Sequence, residues 1–589
     1  MYILGVSCYY HDSAACLIKD GRVVAAAQEE RFTRKKHDES LPVNAINYCL
    51  KFKNLTVDNL DYIVFYDKPL LKFERLLITY INTWPKGLLS FIKAMNVWLS
   101  DKLWIEQKIR KHLKYKSKIY FCEHHYSHAA SAYYASNFKE AVVVTMDGVG
   151  EWETTTCGYG QDNKLVLTHS INFPHSLGLL YSALTYYLGF KVNSAEYKVM
   201  GLAPYGNPDV YYDKFKQLVE VKEDGSFVLN MKYFSYEYGL RMTNRNFDKL
   251  FGGPPRQSES ALTQREKDIA AALQKITEEI VLKMVSFAKN NHPSENLCLA
   301  GGVALNCVAN GRILKEGIFK NIYIQPAAGD AGGAVGAALY FYYDCLNNYK
   351  KEGVMDNIYL GPEYSDEEIK NFLEVGAKEI IGDKKVVYQK FSSQDLFKNV
   401  AQLISGDNAI GLFRGRMEFG PRALGNRSII ADARNKENWQ KINLKIKFRE
   451  SFRPFAPTVL EKKCNDYFDL SCPSPYMLLV AAVKNNEVPA ITHVDNSARI
   501  QTISFQQNQD YYQLIEEFYK LSGCPVIINT SFNVRGEPIV ESPRDAFNCF
   551  LNTDMDYLVL GNYLLSKKDN SHLVNNKESN LYLKKFKLD

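Results

Sequence analysis

Two β-hairpin patterns, followed by units of strand, glycine-rich turn and helix, constrain the fold of the first half of this chain. The first hairpin pattern runs through MYILGVS, AACLI and RVVAAA and turns at Asp20-Gly21, a dipeptide that favours tight turns. The second joins TTTCGYG to KLVLTHS at Asp162-Asn163. NLCLAGGVALN and NIYIQPAAGDAGGAVGAALYFYY both have the strand–glycine–helix pattern. Together these segments predict an α/β fold.

Shorter patterns fill the intervals, and the sequence itself shows no internal repeat. They predict a helix near LPVNAINYCLKF, strands at 63–66, IYFC and AVVVTM, an alanine-rich helix in EHHYSHAASAYYAS, and a helix over 260–290.

The length of the chain and one break in its pattern predict at least two domains. A chain of 589 residues exceeds one ordinary domain. In YKKEGVMDNIYLGP, charge, glycine and proline replace apolar periodicity. We therefore expect a first domain at 1–355, a second with an α+β pattern at 356–566, and a polar tail at 567–589 that frays.

Composition excludes several classes of protein. With 46% hydrophobic and 23% charged residues, the chain is neither disordered nor collagen-like. Its 12 scattered cysteines form no C-x-x-C pair, which argues against a thiolate zinc site and favours free thiols in the reducing cytoplasm. The N-terminus lacks the basic region of a signal peptide, and His11 and Asp12 interrupt its apolar stretch.

A tryptophan-rich segment at 66–104 has two interpretations. Its apolar run over 76–84 is far shorter than the ~20 residues that a membrane-spanning helix needs, so we expect no membrane span. Trp84, Trp98 and Trp104 among lysines are compatible with a helix that lies on a membrane surface. Packing of a helical insertion, beside a substrate cleft, is the favoured alternative.

Two histidines and two aspartates are candidate metal ligands. On a helix, His124 and His128 would share one face and reach a single ion. Asp147 follows an apolar strand within a glycine-rich turn, and Asp330 does the same after NIYIQPAAG. Two imidazoles with two carboxylates suit Fe(II), Mn(II) or Zn(II) better than Mg(II). Ordinary helix histidines and turn-forming aspartates remain the alternative.

Three glycine-rich turns predict a nucleotide cleft between two sheet units. Backbone N–H groups in such turns, and the start of a helix, can hold phosphate. None of the turns matches the P-loop or the dinucleotide fingerprint. The glycines concerned are Gly148 and Gly150, then Gly301 and Gly302, then Gly329, Gly332 and Gly333.

The second half has a signature typical of phosphate recognition. Its run GLFRGRMEFGPRALGNRSIIADAR precedes INLKIKFRESFRPFAP, where Lys447 and Arg449 alternate on a predicted strand and so face one side. Arginine forks and small hydroxyl or amide donors fit phosphates, whereas a solvated basic face would favour lysine with interspersed acids. Residues 414–453 hold 11 basic and 4 acidic residues, a net charge of +7 against +6 for the whole chain.

The chain resembles the O-carbamoyltransferases of antibiotic tailoring and nodulation-factor modification. The resemblance covers nearly the whole sequence, and many colinear motifs carry it. They include YYHDSAA, QEERFTRKKHD, HHYSHAASA, MDGVGE, EYKVMGLAPYG, GGVALN, GDAGGAVGAAL, EFGPRALGNRS, FRPFAP and NTSFNVRGEP.

The resemblance implies two fused modules. The N-terminal module would have the actin/Hsp70-type (ASKHA) fold of the tRNA threonylcarbamoyl transferase subunit, with a cleft for ATP. The C-terminal module would be YrdC-like and would make carbamoyl adenylate from carbamoyl phosphate and ATP with Mg. The carbamoyl group would then pass to a hydroxyl of a small-molecule or glycan acceptor. A homodimer is also expected from the resemblance.

The resemblance also assigns residues. His11 and Asp12 would face the acceptor in catalysis, and Fe(II), or Mn or Zn in its place, would be the metal. Its ligands would be His124, His128, Asp147 and Asp330. Nucleotide would meet Gly148, Gly150, Lys198, Gly201, Gly301, Gly302, Asn306 and Gly332. Carbamoyl phosphate and ATP would meet Lys447, Arg449, Arg453, Arg499, Ser531, Asn533 and Arg535.

Three other functions stay open at this point. A tRNA threonylcarbamoyladenosine-type enzyme shares both folds, but it would use threonine and show a basic tRNA-binding surface. A sugar kinase with an actin-type fold would leave the second module without a task. A non-catalytic binding protein would turn over no nucleotide. We expect no nucleic-acid partner, and the sequence does not identify the acceptor.

Overall fold

The chain divides into two compact units. The computed structural model describes residues 1–349, 353–450 and 452–586. The first unit comprises 1–29 and 37–356, and the second comprises 30–36 and 357–589. Segment 30–36 thus belongs with the C-terminal half of the chain, an arrangement that no pattern in the sequence predicts.

The first unit contains two five-stranded sheets. Its strands are β1 (Tyr2–Ser7), β2 (Ala14–Lys19), β3 (Arg22–Gln28), β4 (Tyr62–Phe65), β5 (Ile119–Phe121), β6 (Glu140–Met146), β7 (Glu153–Gln161), β8 (Lys164–Asn172), β9 (Val219–Val221), β10 (Phe227–Leu229), β11 (Asn296–Ala300) and β12 (Asn321–Ile324). The sheets have the orders β3-β2-β1-β4-β5 and β12-β11-β6-β7-β8, and β9 pairs with β10 separately.

The two sheets have the same topology. In each, three consecutive strands form antiparallel hairpins, a later strand pairs in parallel with the first of them, and a fifth strand pairs in parallel with that one. Both predicted hairpins are therefore confirmed. At the first turn, Asp20 and Gly21 have φ of 49° and 81°, as a tight hairpin turn requires. The repeat that is absent from the sequence is present in the backbone.

Helices cover these sheets. They are α1 (Glu29–Thr33), α2 (Val43–Phe52), α3 (Pro69–Thr83), α4 (Leu88–Ser100), α5 (Ile105–Leu113), α6 (His124–Tyr133), α7 (Leu177–Tyr187), α8 (Glu196–Leu202), α9 (Tyr212–Leu218), α10 (Arg245–Phe251), α11 (Gln264–Asn291), α12 (Cys307–Lys315) and α13 (Asp330–Tyr340). Of these, α1 lies where the chain passes from the first unit into segment 30–36.

Helices α6 and α13 cross at a distance that only glycine permits. A Cβ on Gly336 of α13 would lie 1.6 Å from the carbonyl oxygen of Ser127 on α6. On its other side, α13 presses against β1, where a Cβ on Gly5 would lie 1.8 Å from the oxygen of Ala334. Because both approaches are to backbone atoms, no side-chain movement could relieve them.

The second unit is built on one nine-stranded mixed sheet of order β13-β21-β20-β14-β15-β19-β16-β18-β17. Its strands are β13 (Gln389–Lys390), β14 (Ile410–Phe413), β15 (Arg427–Asp432), β16 (Ala456–Leu460), β17 (Leu479–Ala482), β18 (Ser497–Ile503), β19 (Val526–Ser531), β20 (Tyr557–Leu560) and β21 (Tyr563–Ser566). Its helices are α14 (Asp366–Asn371), α15 (Lys378–Ile381), α16 (Ser393–Ser405), α17 (Glu437–Lys441), α18 (Cys464–Tyr467), α19 (Gln509–Ser522), α20 (Pro543–Leu551) and α21 (Asn576–Lys585).

The expectation of a fraying polar tail from 567 is wrong. The segment ends in α21, and Tyr582 on this helix is only 8% exposed. Its hydroxyl donates to Glu537 Oε1 at 2.7 Å, and Arg34 Nη2 of segment 30–36 donates to the same oxygen at 2.9 Å. One buried carboxylate therefore joins parts of the second unit that come from opposite ends of the chain.

The predicted strand at Lys447 and Arg449 is also wrong. A π-helical turn at Ile442–Ile446 continues α17, and Lys447 follows it. Ile442 and Ile446 are both fully buried and are four residues apart, which is the spacing of one helix face. Burial of Ile442 and Ile446 on one helix face therefore determines the local structure, and the alternation of Lys447 and Arg449 does not produce a strand.

The tryptophan-rich segment is helical, as predicted, and forms the hairpin of α3 and α4. Trp98 is buried and packs against Phe73, with ring centroids 5.7 Å apart. Trp84 and Trp104 instead lie at the surface. Among the described residues, no helix combines the length and apolar character needed to cross a membrane.

The crossing of α6 and α13 can be tested by adding one methyl group. We expect Gly336→Ala to destabilise the first unit by at least about 2 kcal/mol, since overpacking against fixed backbone costs about 1–3 kcal/mol. Gly329→Ala is the matched control, because a Cβ there meets no atom within 4 Å. Equal denaturation midpoints for the two variants would contradict the close crossing.

Candidate metal and phosphate sites

The four predicted metal ligands converge within the first unit. His124 and His128 lie on the first turns of α6, Asp330 begins α13, and Asp147 directly follows β6. One donor atom from each lies within 4.8 Å of all the others, and all four residues are buried. The crossing of α6 and α13 therefore assembles a set of donors that are separated by up to 206 positions in the sequence.

The spacing of the donor atoms fits one ion. The Nε2 atoms of His124 and His128 are 3.1 Å apart, and Asp147 Oδ2 lies 3.1 Å and 3.7 Å from them. Asp330 Oδ1 lies 3.8 Å and 3.7 Å from the same nitrogens. Donors bound at about 2.1 Å to one ion are about 3.0–3.4 Å apart at octahedral and tetrahedral angles.

An unsatisfied carboxylate oxygen supports the same interpretation. Asp330 Oδ1 is buried and has no hydrogen-bond partner, which is costly for a charged group unless a cation neutralises it. Its other oxygen, Oδ2, accepts from the hydroxyl of Tyr66 at 3.1 Å. The donor set of two imidazoles and two carboxylates fits Fe(II), Mn(II) or Zn(II).

The protonation of these groups reflects their mutual attraction. Burial by itself would lower the pKa of His128, but Asp147 and Asp330 outweigh it and raise this pKa to about 9. Burial would raise the pKa of both aspartates, yet the adjacent histidines hold those pKa values well below the ordinary value. The carboxylates are therefore ionised at neutral pH, as metal ligands must be, and a bound ion would have to displace the proton that they stabilise on His128.

Neighbouring groups fix the ligands in place. The carboxylate of Glu151 accepts from the backbone N–H of His124 at 3.0 Å and so caps α6. The backbone N–H of Gly302 donates to Asp147 Oδ1 at 2.8 Å. A Cβ on Gly150 would lie 3.1 Å from His124 Cβ, so glycine leaves room for the imidazole.

His11 and Asp12 lie beside the metal-ligand cluster. His11 Nε2 is 3.7 Å from Asp330 Oδ2, and its Nδ1 is 3.0 Å from Asp12 Oδ2. Burial would lower the pKa of His11, but Asp330 and Asp12 raise it to about 10. Both residues retain partial exposure, which leaves them accessible to a substrate.

His37, which lies in the motif QEERFTRKKHD but is not among the predicted site residues, extends this network. His37 Nδ1 lies 2.7 Å from Asp12 Oδ1, and its Nε2 lies 3.1 Å from Ser194 Oγ. The order carboxylate, imidazole, hydroxyl is the one that activates a hydroxyl in nucleophilic catalysis. Tyr9, Asp12 and His37 have φ of 75°, 53° and 57°, a strained region for non-glycine residues that is concentrated at functional sites.

The expected nucleotide-binding residues have mixed environments. Gly302 is exposed beside Asp147, and Gly148 has open space where a side chain would lie, so their backbone atoms are accessible. Gly301 has φ of +88° and lies against the carbonyl of Met146. Gly332 lies within α13, where a Cβ would be 2.1 Å from the oxygen of Ala327. These last two glycines have a packing role.

The remaining members of that set lie on helices. Asn306 caps α12 by accepting from Ala309 N at 3.1 Å, and its amide pairs with that of Gln274. Lys198 is fully buried in α8, three residues before Gly201 on the same helix. Asn306 therefore has a structural role in the orientation of α12.

In the second unit, Lys447 is the centre of a dense polar cluster. Its buried ammonium donates to the carbonyl oxygen of Ser531 at 2.6 Å, to Ser531 Oγ at 3.1 Å, and to the carbonyl and Oδ1 of Asn533 at 2.9 Å and 2.6 Å. Burial lowers the pKa of Lys447 well below its ordinary value, and Arg449 and Arg453 lower it further. The predicted lysine, serine and asparagine thus do meet.

The predicted arginines surround the same region. Glu450 Oε1 lies 3.3 Å from Arg535 Nη2, and its Oε2 lies 3.8 Å from Arg453 Nη1. Arg449 Nε donates to Asn443 Oδ1 at 2.7 Å. Arg499 lies on β18, on the sheet face that strand alternation and pairing also give to Ser531.

The glycine-rich run at 415–428 owes its shape to two buried residues that sequence reasoning did not select. Glu418 Oε1 accepts from the backbone N–H groups of Leu424 and Asn426, each at 2.8 Å. The guanidinium of Arg427 donates to backbone oxygens, including that of Gly415 at 3.0 Å, and stacks on Phe413. Part of the arginine signature therefore shapes a loop and is not available to a ligand.

Comparisons with known proteins cover both units. Residues 2–339 match the family model described as "Carbamoyltransferase N-terminus", and 401–567 match "Carbamoyltransferase C-terminus". An uncharacterized protein of Synechocystis is 55% identical over 96% of this chain and 97% of its own. Nodulation protein NolNO of Sinorhizobium fredii is 37% identical over 95% and 79%, and nodulation protein NolO of Bradyrhizobium diazoefficiens is 39% identical over 76% and 79%.

Metal binding can be tested with two adjacent histidines. After loading with Fe(II), Mn(II) or Zn(II) and desalting, we expect His128→Gln to retain at least tenfold less metal than the natural chain, because one of four ligands is lost. His125→Gln is the matched control, since His125 is equally buried but contacts Thr145 and Glu153. Equal metal content in both variants, measured by elemental analysis, would rule out this site.

Proposed function

Because the chain belongs to the carbamoyltransferase family and is a carbamoyltransferase enzyme, we propose that it is an ATP-dependent O-carbamoyltransferase with two active sites. The second unit makes carbamoyl adenylate from carbamoyl phosphate and ATP. The first unit transfers the carbamoyl group to a hydroxyl of a small-molecule or glycan acceptor. One observation carries this proposal: each unit has its own polar cluster. The cluster of the first unit consists of two histidines and two aspartates, and that of the second is Lys447 with Ser531 and Asn533.

The folds of the two units support this division of labour. Two sheets of the same topology in the first unit are what an actin/Hsp70-type module requires. The second unit is proposed to be a YrdC-like module, on the strength of its cluster at Lys447, Ser531 and Asn533. The polar neighbours of Lys447 are carbonyl, hydroxyl and amide oxygens, which hold its ammonium at one point.

In the second unit, several arginines lie around the site proposed to bind the phosphates of carbamoyl phosphate and ATP. Water hydrolyses carbamoyl phosphate to carbamate and phosphate. A carbamate oxygen then attacks the α-phosphorus of ATP and displaces pyrophosphate, which yields carbamoyl adenylate. Every species in that sequence is anionic. Arg449, Arg453, Arg499 and Arg535 offer guanidinium forks to these anions, and Glu450 orients two of them.

In the first unit, Asp147, Asp330, His124 and His128 would hold the metal. A bound Fe(II), Mn(II) or Zn(II) ion supplies electrophilic stabilisation of the negative charge that develops on the departing adenylate phosphate. The half-buried backbone of Gly148 follows Asp147 directly and can donate to the same phosphate, whereas the N–H of Gly302 holds Asp147 Oδ1 in place.

The acceptor hydroxyl must lose a proton during transfer. His37 lies between Asp12 and Ser194, so its Nε2 faces a hydroxyl while its Nδ1 is held by a carboxylate. An acceptor hydroxyl that replaces Ser194 Oγ at Nε2 would lose its proton to His37, and Asp12 would stabilise the resulting imidazolium. His11 lies between this network and Asp330 and positions Asp12.

The decisive experiment follows the nucleotide products. Incubation with labelled ATP should yield AMP and pyrophosphate only when carbamoyl phosphate is present. Threonine with bicarbonate should not replace it. ADP as the sole nucleotide product would instead identify a kinase, and AMP formation that is indifferent to carbamoyl phosphate would refute the proposal.

Lys447 and His124 should separate the two steps. We expect Lys447→Met to reduce carbamoyl-phosphate-dependent AMP formation at least 100-fold, because the ammonium at the centre of the cluster is lost. Lys445→Met is the control, since Lys445 is exposed two residues away. His124→Ala should keep carbamoyl-phosphate-dependent pyrophosphate formation and lose carbamoyl transfer, together with the AMP that transfer releases. Equal loss of both steps in both active-site variants would contradict two separate sites.

His37 should act on transfer alone. We expect His37→Gln to lower the kcat of transfer at least tenfold while KM for ATP and carbamoyl-phosphate-dependent pyrophosphate formation stay unchanged, because general-base removal acts on the acceptor step. An equal fall in pyrophosphate formation would show that His37 has only a structural role.

A further inference from the structure

The hairpin of α3 and α4 exposes large apolar side chains at its tip. We define the hairpin tip as residues 81–93. Leu89 is 74% exposed, Ile81 70% and Trp84 62%, and Leu88 and Ile92 are also exposed. Isolated exposed leucines are ordinary, whereas five such side chains within thirteen residues form a contiguous segment that water does not stabilise.

Helix α4 carries large apolar side chains on its exposed side as well as on its packed side. Phe91 and Trp98 face the protein, and Leu88, Leu89 and Ile92 face solvent at helical spacing. Its sequence LLSFIKAMNVWLS has Lys93 as its one charged residue. A helix of this composition is normally buried on every side, so the exposed face of α4 requires a partner.

The hairpin is held in a fixed position. The rings of Tyr80 on α3 and Phe91 on α4 stack with centroids 3.7 Å apart. Ser90 Oγ donates to the backbone oxygen of Tyr238 at 2.6 Å, and a Cβ on Gly87 would lie 2.8 Å from that oxygen. The exposed apolar face is therefore part of an ordered structure.

The charge of this region is strongly positive. Residues 76–100 contain no aspartate or glutamate, and Lys86 and Lys93 at the tip are both exposed. Residues 76–118 hold 9 basic and 2 acidic residues, a net charge of +7. Exposed lysines beside exposed tryptophan and leucine are the composition of a segment that binds the surface of an anionic membrane.

A cavity beside the tip adds basic groups. It has a volume of about 570 Å³, and its lining includes Leu88, Leu89, Arg241, Arg245 and one carboxylate, that of Asp248. An apolar edge next to two guanidinium groups matches the boundary between an acyl chain and a phosphate headgroup.

We propose that the hairpin tip docks on a membrane surface that contains anionic lipids. The exposed apolar side chains enter the boundary between headgroups and acyl chains, and Trp84 lies at the level of the headgroups. Arg241 and Arg245 bind a lipid phosphate in the adjacent cavity. Docking of this kind needs no membrane-spanning helix and does not depend on the proposed function.

Charge favours a membrane over a second copy of the chain. In a symmetric dimer through this surface, two hairpin tips that each carry Lys86 and Lys93 and no acidic residue would meet, and like charges repel. Nucleic acid would satisfy the lysines, but its phosphate backbone offers nothing to the leucines and isoleucines of the tip.

Vesicle co-sedimentation of the full chain tests the proposal. We expect binding to vesicles of phosphatidylcholine with 30% phosphatidylglycerol, about tenfold weaker binding to pure phosphatidylcholine, and release by high salt. Leu89→Ser/Ile92→Ser should weaken binding at least tenfold. Val375→Ser/Leu521→Ser, two similarly exposed side chains in the second unit, should leave it unchanged.

Two further variants distinguish the parts of the surface. Arg241→Ala/Arg245→Ala should remove the preference for anionic lipid, and Trp84→Phe should abolish the blue shift of tryptophan emission on vesicle addition. The absence of sedimentation with anionic vesicles at low salt would overturn the proposal. So would a hairpin variant that sediments like its control, or one that only converts a dimer into a monomer in light scattering.

Discussion

The contact between Gly336 of α13 and the backbone of Ser127 on α6 is the constraint on which the first unit depends. The first turns of these two helices lie side by side. Helix α6 carries His124 and His128 there, and α13 carries Asp330. If the helices were farther apart, the three donors would not lie within bonding distance of one ion. Helix packing at backbone contact thus determines whether these side chains can reach one ion.

Several features follow from local patterns in the sequence and were predicted correctly. Asp20-Gly21 specifies its turn because few other dipeptides adopt positive φ twice. His124 and His128 share a face because the helix period requires it. By contrast, the contact of His37 with Asp12 joins residues 25 positions apart through two strained loop conformations, and no periodic pattern indicates such a contact.

The two wrong predictions have a common physical cause. At Lys447 and Arg449, a period-two alternation of charge suggested a strand, but the burial of Ile442 and Ile446 stabilises a helical turn. In the tail, a high lysine content suggested fraying, but one aromatic side chain, Tyr582, finds a buried carboxylate. In both segments a few buried side chains determine the local structure more strongly than the average composition of the segment does.

Two segments of the chain, 414–453 and 76–118, each have a net charge of +7, and they differ in how far their charged side chains are exposed to solvent. In 414–453, Lys447 is buried among oxygens and Arg427 is fully enclosed with its guanidinium on backbone carbonyls. In 76–118, most of the lysines lie at the surface. The first segment concentrates charge inward, around a proposed phosphate site, while the second presents its charge to the surroundings. Net charge along the sequence does not distinguish these two situations.

The carboxylate of Glu537 has a consequence for synthesis of the protein on the ribosome. It binds Arg34 and also Tyr582, which is synthesised 548 residues later. The second unit therefore cannot complete this contact until Tyr582 has left the ribosome, long after segment 30–36 has done so. A fragment that begins at 357 would lack that segment, so the unit cannot be excised as one continuous piece of chain.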